Sequence, residues 1–325
     1  MMTPTTPLLR PLAAGLVCLL CLLARPALAL ALDKVTLMLD WFVNPDHAPI
    51  ILAQQKGWFR EAGLEVEIVA PADPADPPKL VAAGKADYAI SYQPQLHLQV
   101  HEGLPLKRVG TLVATPLNCL MVRADGPIRT PADLRGRKIG YSVSGVEDAL
   151  VAAILAQGGL GMDDVQMVNV NWSLGPALIS GQVDATIGAY RNFELTQMRL
   201  AGTEGRCLFV EENGVPSYDE LIVIANPQHL DLDRTRRLLG AIERGAHYMV
   251  NHPDEAWQVF SATAPDLQDE LNRTAWAETL PRFSQSPAAL DQGRYANFER
   301  FLNKAGLTEG VLPVSALALD PGAEP

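Results

Sequence analysis

The residues of this chain best suited to chemistry are side chains that stack on a flat ligand or hydrogen-bond to its edge. Glu194 is a carboxylate that could accept two N–H donors from an amidine-like edge. A hydrogen bond to a charged group contributes about 1.5–3 kcal/mol, so this contact would discriminate strongly between ligands. The alternative role for Glu194 is a favourable charge on a first helical turn. Arg191 could pair with Glu194 or with an anionic ligand.

Three aromatic residues, Trp41, Tyr92 and Tyr190, are candidates for stacking. A ring packed against a planar ligand contributes about 1 kcal/mol beyond its burial. The competing roles are closure of a hydrophobic core for Trp41 and an ordinary place on a loop rim for the tyrosines. Asn44 and His47 follow Trp41 closely, either as ligand contacts or as loop and capping residues.

Polar groups at three further places complete the candidates. Ser142, Ser144 and Gly145 precede a predicted helix, and free amides at a helix start bind ligand oxygens, including those of carboxylates or sulfonates. Such serines also cap helices, so this pattern supports both roles. Tyr218 lies before a predicted strand near a hinge, and Asn118 lies near a predicted crossing between lobes.

A short sequence pattern that occurs twice, called the repeated phrase below, indicates which helices and strands position these residues. Segments 84–90 and 181–187 each contain a glycine, an aspartate three residues later and a strand-like run, and each follows a short apolar helix. The pattern predicts a helix closed by glycine, a turn and a buried strand. Ligands of open α/β sheets bind beyond the carboxyl ends of strands. We therefore expect two similar α/β lobes with the ligand cleft between them.

The predicted fold is doubly wound, with crossings near residues 118 and 223. The first lobe is expected to comprise 32–118 plus 224–325, and the second 119–223. The main predicted elements are helices over 47–59 and 146–157, a helical segment from 233 onward, and strands over 35–39, 64–69, 106–113, 139–142, 165–170 and 220–225.

Composition and targeting limit the function further. The 325 residues carry a net charge of −11, and 48% are hydrophobic, which is typical of a globular protein and disfavours nucleic-acid or anionic-lipid binding. Residues 1–31 are predicted to be a signal peptide, because the apolar run 12–24 is too short to span a bilayer and 27–29 or 29–31 offers a cleavage site. We expect a periplasmic protein.

The sequence shows no catalytic motif, so we predict neither an enzyme nor a metal or cofactor site. It has no phosphate-binding glycine loop, no nucleophile elbow and no pair of histidines at metal-ligand spacing. Cys119 and Cys207 remain after signal-peptide removal. They could pair in an oxidising compartment, but the sequence leaves this open.

With these residues identified, the chain resembles the periplasmic solute-binding proteins of ABC importers, and especially the group that binds pyrimidine precursors of thiamine. The resemblance implies a type II periplasmic-binding-protein fold, a monomer that closes on its ligand, and an inner-membrane permease as partner. It also implies that Trp41 and Tyr190 stack on the ring, while Glu194 and Asn44 hydrogen-bond to it. It extends over residues 35–226 and depends on segments 39–47, 57–59, 80–90, 188–194 and 214–221.

Two departures keep alternatives open. The related fungal enzyme that makes the pyrimidine relies on a cysteine cluster, whereas Cys119 and Cys207 stand alone here. Arg191 occupies a position where an aromatic or neutral residue is expected. Since sister groups bind alkyl sulfonates, nitrate or riboflavin on the same scaffold, an anionic ligand held by Arg191 and the 142–144 loop is the second hypothesis. A secreted enzyme that uses His47 or Cys119 is the third.

Overall fold

The computed structural model describes residues 1–3, 31–143 and 146–323. Most of the predicted signal peptide, and Ser144, lie outside the described residues. Among those described, no helix has the length and hydrophobicity needed to cross a membrane. The strands and helices below belong to the unit Leu32–Pro325.

Ten strands form two five-stranded sheets in the described part of the chain. The strand order is β2-β1-β3-β10-β4 in the first sheet and β7-β6-β8-β5-β9 in the second. The strands are β1 (Asp33–Met38), β2 (Leu64–Val69), β3 (Tyr88–Ser91), β4 (Lys107–Val113), β5 (Asn118–Arg123), β6 (Lys138–Tyr141), β7 (Gln166–Asn169), β8 (Ala185–Tyr190), β9 (Gly205–Phe209) and β10 (Leu221–Ala225).

The two sheets share one pairing pattern. In each sheet the first three strands pair in parallel, and the fourth pairs antiparallel to both of its neighbours. That fourth strand is β10 in the first sheet and β5 in the second, so each sheet receives a strand at a crossing. The doubly wound α/β prediction is confirmed.

Helices cover the sheets and supply the turns beside the cleft. They are α1 (Ala48–Gln55), α2 (Trp58–Glu61), α3 (Pro77–Ala82), α4 (Gln93–His101), α5 (Val146–Gln157), α6 (Leu174–Ile179), α7 (Glu194–Leu200), α8 (Leu232–Asn251), α9 (Pro253–Ser261), α10 (Glu270–Thr279), α11 (Gln292–Lys304) and α12 (Val314–Leu317), with 3-10 turns at Pro45–His47, Pro131–Leu134, Met162–Asp164, Val210–Glu212, Pro265–Gln268 and Leu280–Arg282.

The repeated phrase forms the same turn and the same hydrogen bond in both sheets. Gly84 and Gly181 follow α3 and α6 with φ of +67° and +75°, which glycine adopts without steric cost. Asp87 Oδ2 then accepts the backbone N–H of Thr36 on β1 at 2.8 Å. Asp184 Oδ2 accepts the backbone N–H of Lys138 on β6 at the same distance. Each aspartate therefore joins its turn to the neighbouring strand.

Two predicted boundaries need comment. The helix predicted over 47–59 is wrong, because a 3-10 turn precedes α1 and Gly57, with φ of +75°, separates α1 from α2. The crossing predicted at 223 falls inside β10, which lies wholly in the first sheet. The chain passes between the sheets in the segments 114–117 and 210–220, and the division into lobes stays a prediction.

The hydrophobic cores extend across these elements. Phe260 and Trp276 pack in the core that contains β1 and α1, whereas Phe298 of α11 packs with Leu120 and Tyr218 in the core of the second sheet. Helix α11 therefore contributes to the second core, although it lies far from that sheet in the sequence. Cys119 and Cys207 form a disulfide between adjacent strands β5 and β9, an outcome that the sequence left open.

We expect Asp87→Ala and Asp184→Ala each to lower the free energy of unfolding by about 1 kcal/mol, because each removes the acceptor of a backbone N–H in a turn. Urea denaturation measures the effect. Asp163→Ala is the matched control, since this exposed side chain has no hydrogen-bond partner among the described residues. Equal stability of all three variants and the parent would contradict the role assigned to the turn aspartates.

Candidate functional site

One cavity lies between the two sheets, beyond the carboxyl ends of β1, β3 and β8. The space between its lining atoms amounts to about 710 Å³ when the part that is open to solvent is included. Eight of the nine predicted site residues line it, and the ninth, Ser144, lies outside the described residues. The eight are Trp41, Asn44, His47, Tyr92, Asn118, Tyr190, Glu194 and Tyr218.

His47 and Tyr92 hold a carboxylate in place. His47 Nδ1 accepts the backbone N–H of Asn44 at 3.3 Å, which leaves the ring proton on Nε2, and Nε2 donates to Asp40 Oδ1 at 2.9 Å. The Tyr92 hydroxyl donates to the other oxygen, Asp40 Oδ2, at 2.8 Å. Both nitrogens of His47 are therefore engaged within the protein. This residue positions Asp40 and is not a free ligand donor.

Asn44 caps a turn and also lines the cavity. Its Oδ1 accepts the backbone N–H of Asp46 at 2.8 Å and so caps the turn Pro45–His47. Its Nδ2 donates to the carbonyl of Phe42 at 3.1 Å, and the second N–H of that amide remains for a ligand.

Glu194 begins α7 and lines the cavity, so it too has both positions considered for it. Its side chain is 8% exposed, and Oε2 accepts the backbone N–H of Tyr190 at 2.6 Å. Burial raises the pKa of Glu194 to about 8, against a smaller opposing effect of its backbone hydrogen bonds. In the ligand-free protein at neutral pH, this carboxyl group therefore holds a proton.

Two further buried carboxyl groups lie beside it. Burial raises the pKa of Asp46 to about 6, although its carboxylate accepts hydrogen bonds from Asn192 and Thr279. Burial raises the pKa of Glu220 to about 7, although Glu220 Oε2 accepts the backbone N–H groups of residues 117 and 118 at 2.6 and 2.8 Å. The hydroxyl of Tyr218 also donates to Glu220 Oε2, at 3.2 Å.

The cavity is acidic as a whole. Five carboxyl groups line it, and the described lining contains no lysine or arginine. The five are Asp40, Asp46, Glu147, Glu194 and Glu220. No described group of three or more acidic, histidine or cysteine side chains has the arrangement to hold a metal ion. This surface therefore suits a ligand that donates hydrogen bonds and carries no negative charge.

Only Glu194 of these five was among the candidate residues from the sequence. Asp40 and Asp46 lie in the same short segment as Trp41 and could have been found from that position. Glu220 is the first residue of the strand predicted over 220–225, and that position does not indicate a place in the site. Glu147, at the start of α5, resembles any acidic residue in a first helical turn.

Tyr190 presents a free polar group. Its ring lines the cavity, and its hydroxyl is buried without a hydrogen-bond partner among the described residues. Burial and the nearby charge of Glu220 raise the pKa of Tyr190 well above its ordinary value, so the hydroxyl stays protonated. A ligand could therefore both stack on this ring and hydrogen-bond to its hydroxyl.

Arg191 lies outside the cavity. Its guanidinium pairs with Glu211 at 2.6 Å, donates to the carbonyl of Asn118 at 2.9 Å and stacks over the ring of Phe209. It does not pair with Glu194. Arg191 is therefore not placed to bind an anionic ligand in the cavity.

Side-chain contacts connect the two sheets beside the cavity. Trp41, which follows β1, packs on Trp172, which follows β7, with ring centroids 4.3 Å apart. Asn192 Nδ2 donates to Asp46 Oδ1 at 2.7 Å and to Thr279 Oγ1 at 2.6 Å. These contacts connect the turn after β8 to the turn before α1 and to α10.

We expect the ligand-free protein to lose stability as pH rises from about 5 to 8. The pKa of Glu194 is raised from 4.5 to about 8 on folding, so its contribution is complete below pH 4.5 and is lost as pH approaches 8. Glu194→Gln should lose at least about 1 kcal/mol less over this range. Urea denaturation at several pH values measures this.

Glu211→Gln is the control, because the pKa of Glu211 is lowered by its hydrogen bond to Arg191 and this residue lies outside the cavity. Glu211→Gln should lose stability between about pH 5 and 8 to the same extent as the parent. Parallel stability curves for the parent and Glu194→Gln would contradict a buried, protonated Glu194.

Comparisons with known proteins agree with this architecture. Residues 44–256 match the model of the family described as "NMT1/THI5 like". Over 88% of the chain, the fold matches the alkanesulfonate-binding protein SsuA of Xanthomonas axonopodis pv. citri bound to MOPS, with a TM-score of 0.70, 16% identity and 99% of that structure covered. This likeness shows that the fold is that of the periplasmic binding proteins.

Two relatives are closer in sequence. The chain is 51% identical over 291 residues to a Haemophilus influenzae protein named for thiamine biosynthesis, covering 89% of this chain and 93% of the relative. It is 35% identical over 246 residues to the formylaminopyrimidine-binding protein of Halalkalibacterium halodurans, covering 74% and 73%. Pyrimidine phosphate synthases of Legionella pneumophila and Saccharomyces cerevisiae match at 25% and 26% identity. From these matches, the chain belongs to the NMT1/THI5-like family.

Proposed function

We propose that this protein is the substrate-binding component of an ABC importer and captures a thiamine pyrimidine precursor of the formylaminopyrimidine type. The observation that carries the proposal is the buried carboxyl group of Glu194 in a cavity whose described lining has no lysine or arginine. The name of the relative from Halalkalibacterium halodurans supports the same ligand class.

An aminopyrimidine has an edge that complements this carboxyl group. Its ring nitrogen accepts the O–H of a protonated carboxyl, and its exocyclic amino group donates to the carbonyl oxygen. Transfer of that proton to the ring would leave a carboxylate beside a pyrimidinium, a stronger, charge-assisted pair. Either arrangement satisfies Glu194 without a protein cation.

The aromatic residues complete the proposed binding mode. Trp41 and Tyr190 come from the two sides of the cavity, and both would stack on the ring. Asn44 would donate its remaining amide N–H, and Tyr190 its hydroxyl. Contacts such as that of Trp41 with Trp172 would keep the lobes closed on the ligand, and an inner-membrane permease would recognise this closed form.

The periplasm is the proposed location and a monomer the proposed state. The predicted signal peptide supports export. The disulfide between Cys119 and Cys207 supports an oxidising compartment, because such bonds persist there.

Other functions have less support. Alkyl sulfonate or nitrate would meet five carboxyl groups without a described lysine or arginine. Riboflavin has no observation in its favour beyond the shared scaffold. The enzyme hypothesis loses its two nucleophile candidates, since Cys119 is in a disulfide and both ring nitrogens of His47 are engaged. The synthase relatives are the reason to test for turnover directly.

The test is calorimetric titration of the mature protein with N-formyl-4-amino-5-aminomethyl-2-methylpyrimidine. We expect one-to-one binding at micromolar concentration or tighter, with the ligand recovered chemically unchanged. Methanesulfonate and riboflavin are the comparison ligands and should give no comparable binding.

Glu194→Ala should weaken pyrimidine binding at least about tenfold, because it removes both the O–H donor and the oxygen acceptor that the aminopyrimidine edge would meet. Asp163→Ala is the matched control and should bind like the parent, because this exposed side chain has no hydrogen-bond partner among the described residues. Unchanged affinity of Glu194→Ala, or binding of only a comparison ligand, would overturn the proposed substrate.

A further inference from the structure

The start of α5 holds an internal carboxylate where a ligand anion would be expected. Glu147 lies in the first turn of this 12-residue helix and is 4% exposed. Its Oε2 accepts the backbone N–H of Ser142 at 2.8 Å and that of Val143 at 3.3 Å. Backbone amides before a helix bind anions, because the amides and the helix dipole both favour negative charge. Here a side chain of the protein occupies both of these amides.

The other oxygen of Glu147 is fitted against the second sheet. Gly188 on β8 has φ of +91°, and a Cβ added there would lie 2.0 Å from Glu147 Oε1. A side chain at position 188 would therefore displace the carboxylate. The backbone N–H of Gly188 donates to Asn118 Oδ1 at 2.9 Å, which fixes the glycine in this place. The position of Glu147 thus depends on a loop, a helix and a neighbouring strand.

This arrangement is part of the cavity wall. Ser142, Val143, Glu147 and Gly188 all line the cavity, together with the four other carboxyl groups. An anion that approached the 142–143 amides would find them occupied and would face Glu147 at close range. A neutral, donor-bearing ligand would meet no such repulsion.

We propose that Glu147 is a specificity-determining residue: it fills the anion subsite of the cavity and so excludes ligands that carry a sulfonate or phosphate group. The inference concerns the site of the proposed function and names the class of ligand rejected there. It also explains how a fold shared with an alkanesulfonate-binding protein can serve a ligand without an anionic group.

The test is to remove the internal carboxylate and titrate with methanesulfonate. Glu147→Ala frees the Ser142 and Val143 amides and removes one negative charge. We expect methanesulfonate to bind this variant at least tenfold more tightly than the parent. Asp163→Ala is the control, because it removes one negative charge from an exposed side chain that has no hydrogen-bond partner among the described residues, and it should show no gain.

Each outcome decides the inference. A folded Glu147→Ala variant with no gain in methanesulfonate affinity overturns it. So does a large loss of pyrimidine affinity without a sulfonate gain, since Glu147 would then be a ligand contact. If Glu147→Ala does not fold, Glu147→Ser removes the charge, shortens the side chain so that it no longer occupies both amides, and suits the first turn of a helix. That variant should gain at least threefold in methanesulfonate affinity, and no gain overturns the inference.

Pyrimidine titration of the parent protein separates this inference from the proposed function. Failure of the parent to bind the pyrimidine contradicts the proposed substrate. A sulfonate gain in Glu147→Ala would still support the role of Glu147, because that readout does not require the pyrimidine.

Discussion

The burial of carboxyl groups between two sheets is the constraint around which this structure is organised. A carboxylate removed from water is costly unless hydrogen-bond donors replace its solvation. Here backbone amides supply much of that replacement: Tyr190 donates to Glu194, and residues 117 and 118 donate to Glu220. Backbone amides stabilise these two carboxyl groups without adding a full positive charge, and burial still raises the pKa of both groups. The cavity therefore contains carboxyl groups that can hydrogen-bond to a ligand both as O–H donors and as oxygen acceptors.

The sheet topology explains why these groups converge. Both sheets have the same strand order, and both repeated phrases end in a strand whose carboxyl end faces the cavity. Tyr92 follows one such strand and Tyr190 ends the other. Loops after parallel strands thus come from two sides of one cleft, and no long insertion is needed to bring the aromatic and acidic side chains together.

Local patterns predicted much of the fold and part of the site. The glycine–aspartate patterns predicted two similar lobes, and helix α5 was predicted with its bounds as observed. The residues that lie at strand ends, such as Trp41 and Glu194, were found for the same reason. The position of a residue relative to the end of a strand depends on the few residues around it, so a local pattern is enough to predict it.

The remaining features depend on partners distant in sequence. Asp46 is held by Thr279, which is 233 residues away, and no local pattern indicates that contact. Arg191 was a plausible anion ligand until Glu211 and Phe209 were seen to hold it outside the cavity. Glu147 has an ordinary helix-start sequence, and only the close fit of its carboxyl group against Gly188 distinguishes it. The disulfide likewise required β5 and β9 to be neighbours.

The chain crosses between the two sheets twice, and these crossings determine how much of the chain each sheet needs before all its strands are present. All five strands of the second sheet lie within residues 118–209, so this sheet can be completed from one continuous stretch. The first sheet needs β10 between β3 and β4, and it therefore stays open until residue 225 is available. Until then β3 and β4 each have an unpaired edge, the feature that promotes wrong pairing between chains. The first sheet, rather than the second, is therefore the one whose strand edges stay open to pairing with another chain until β10 is present.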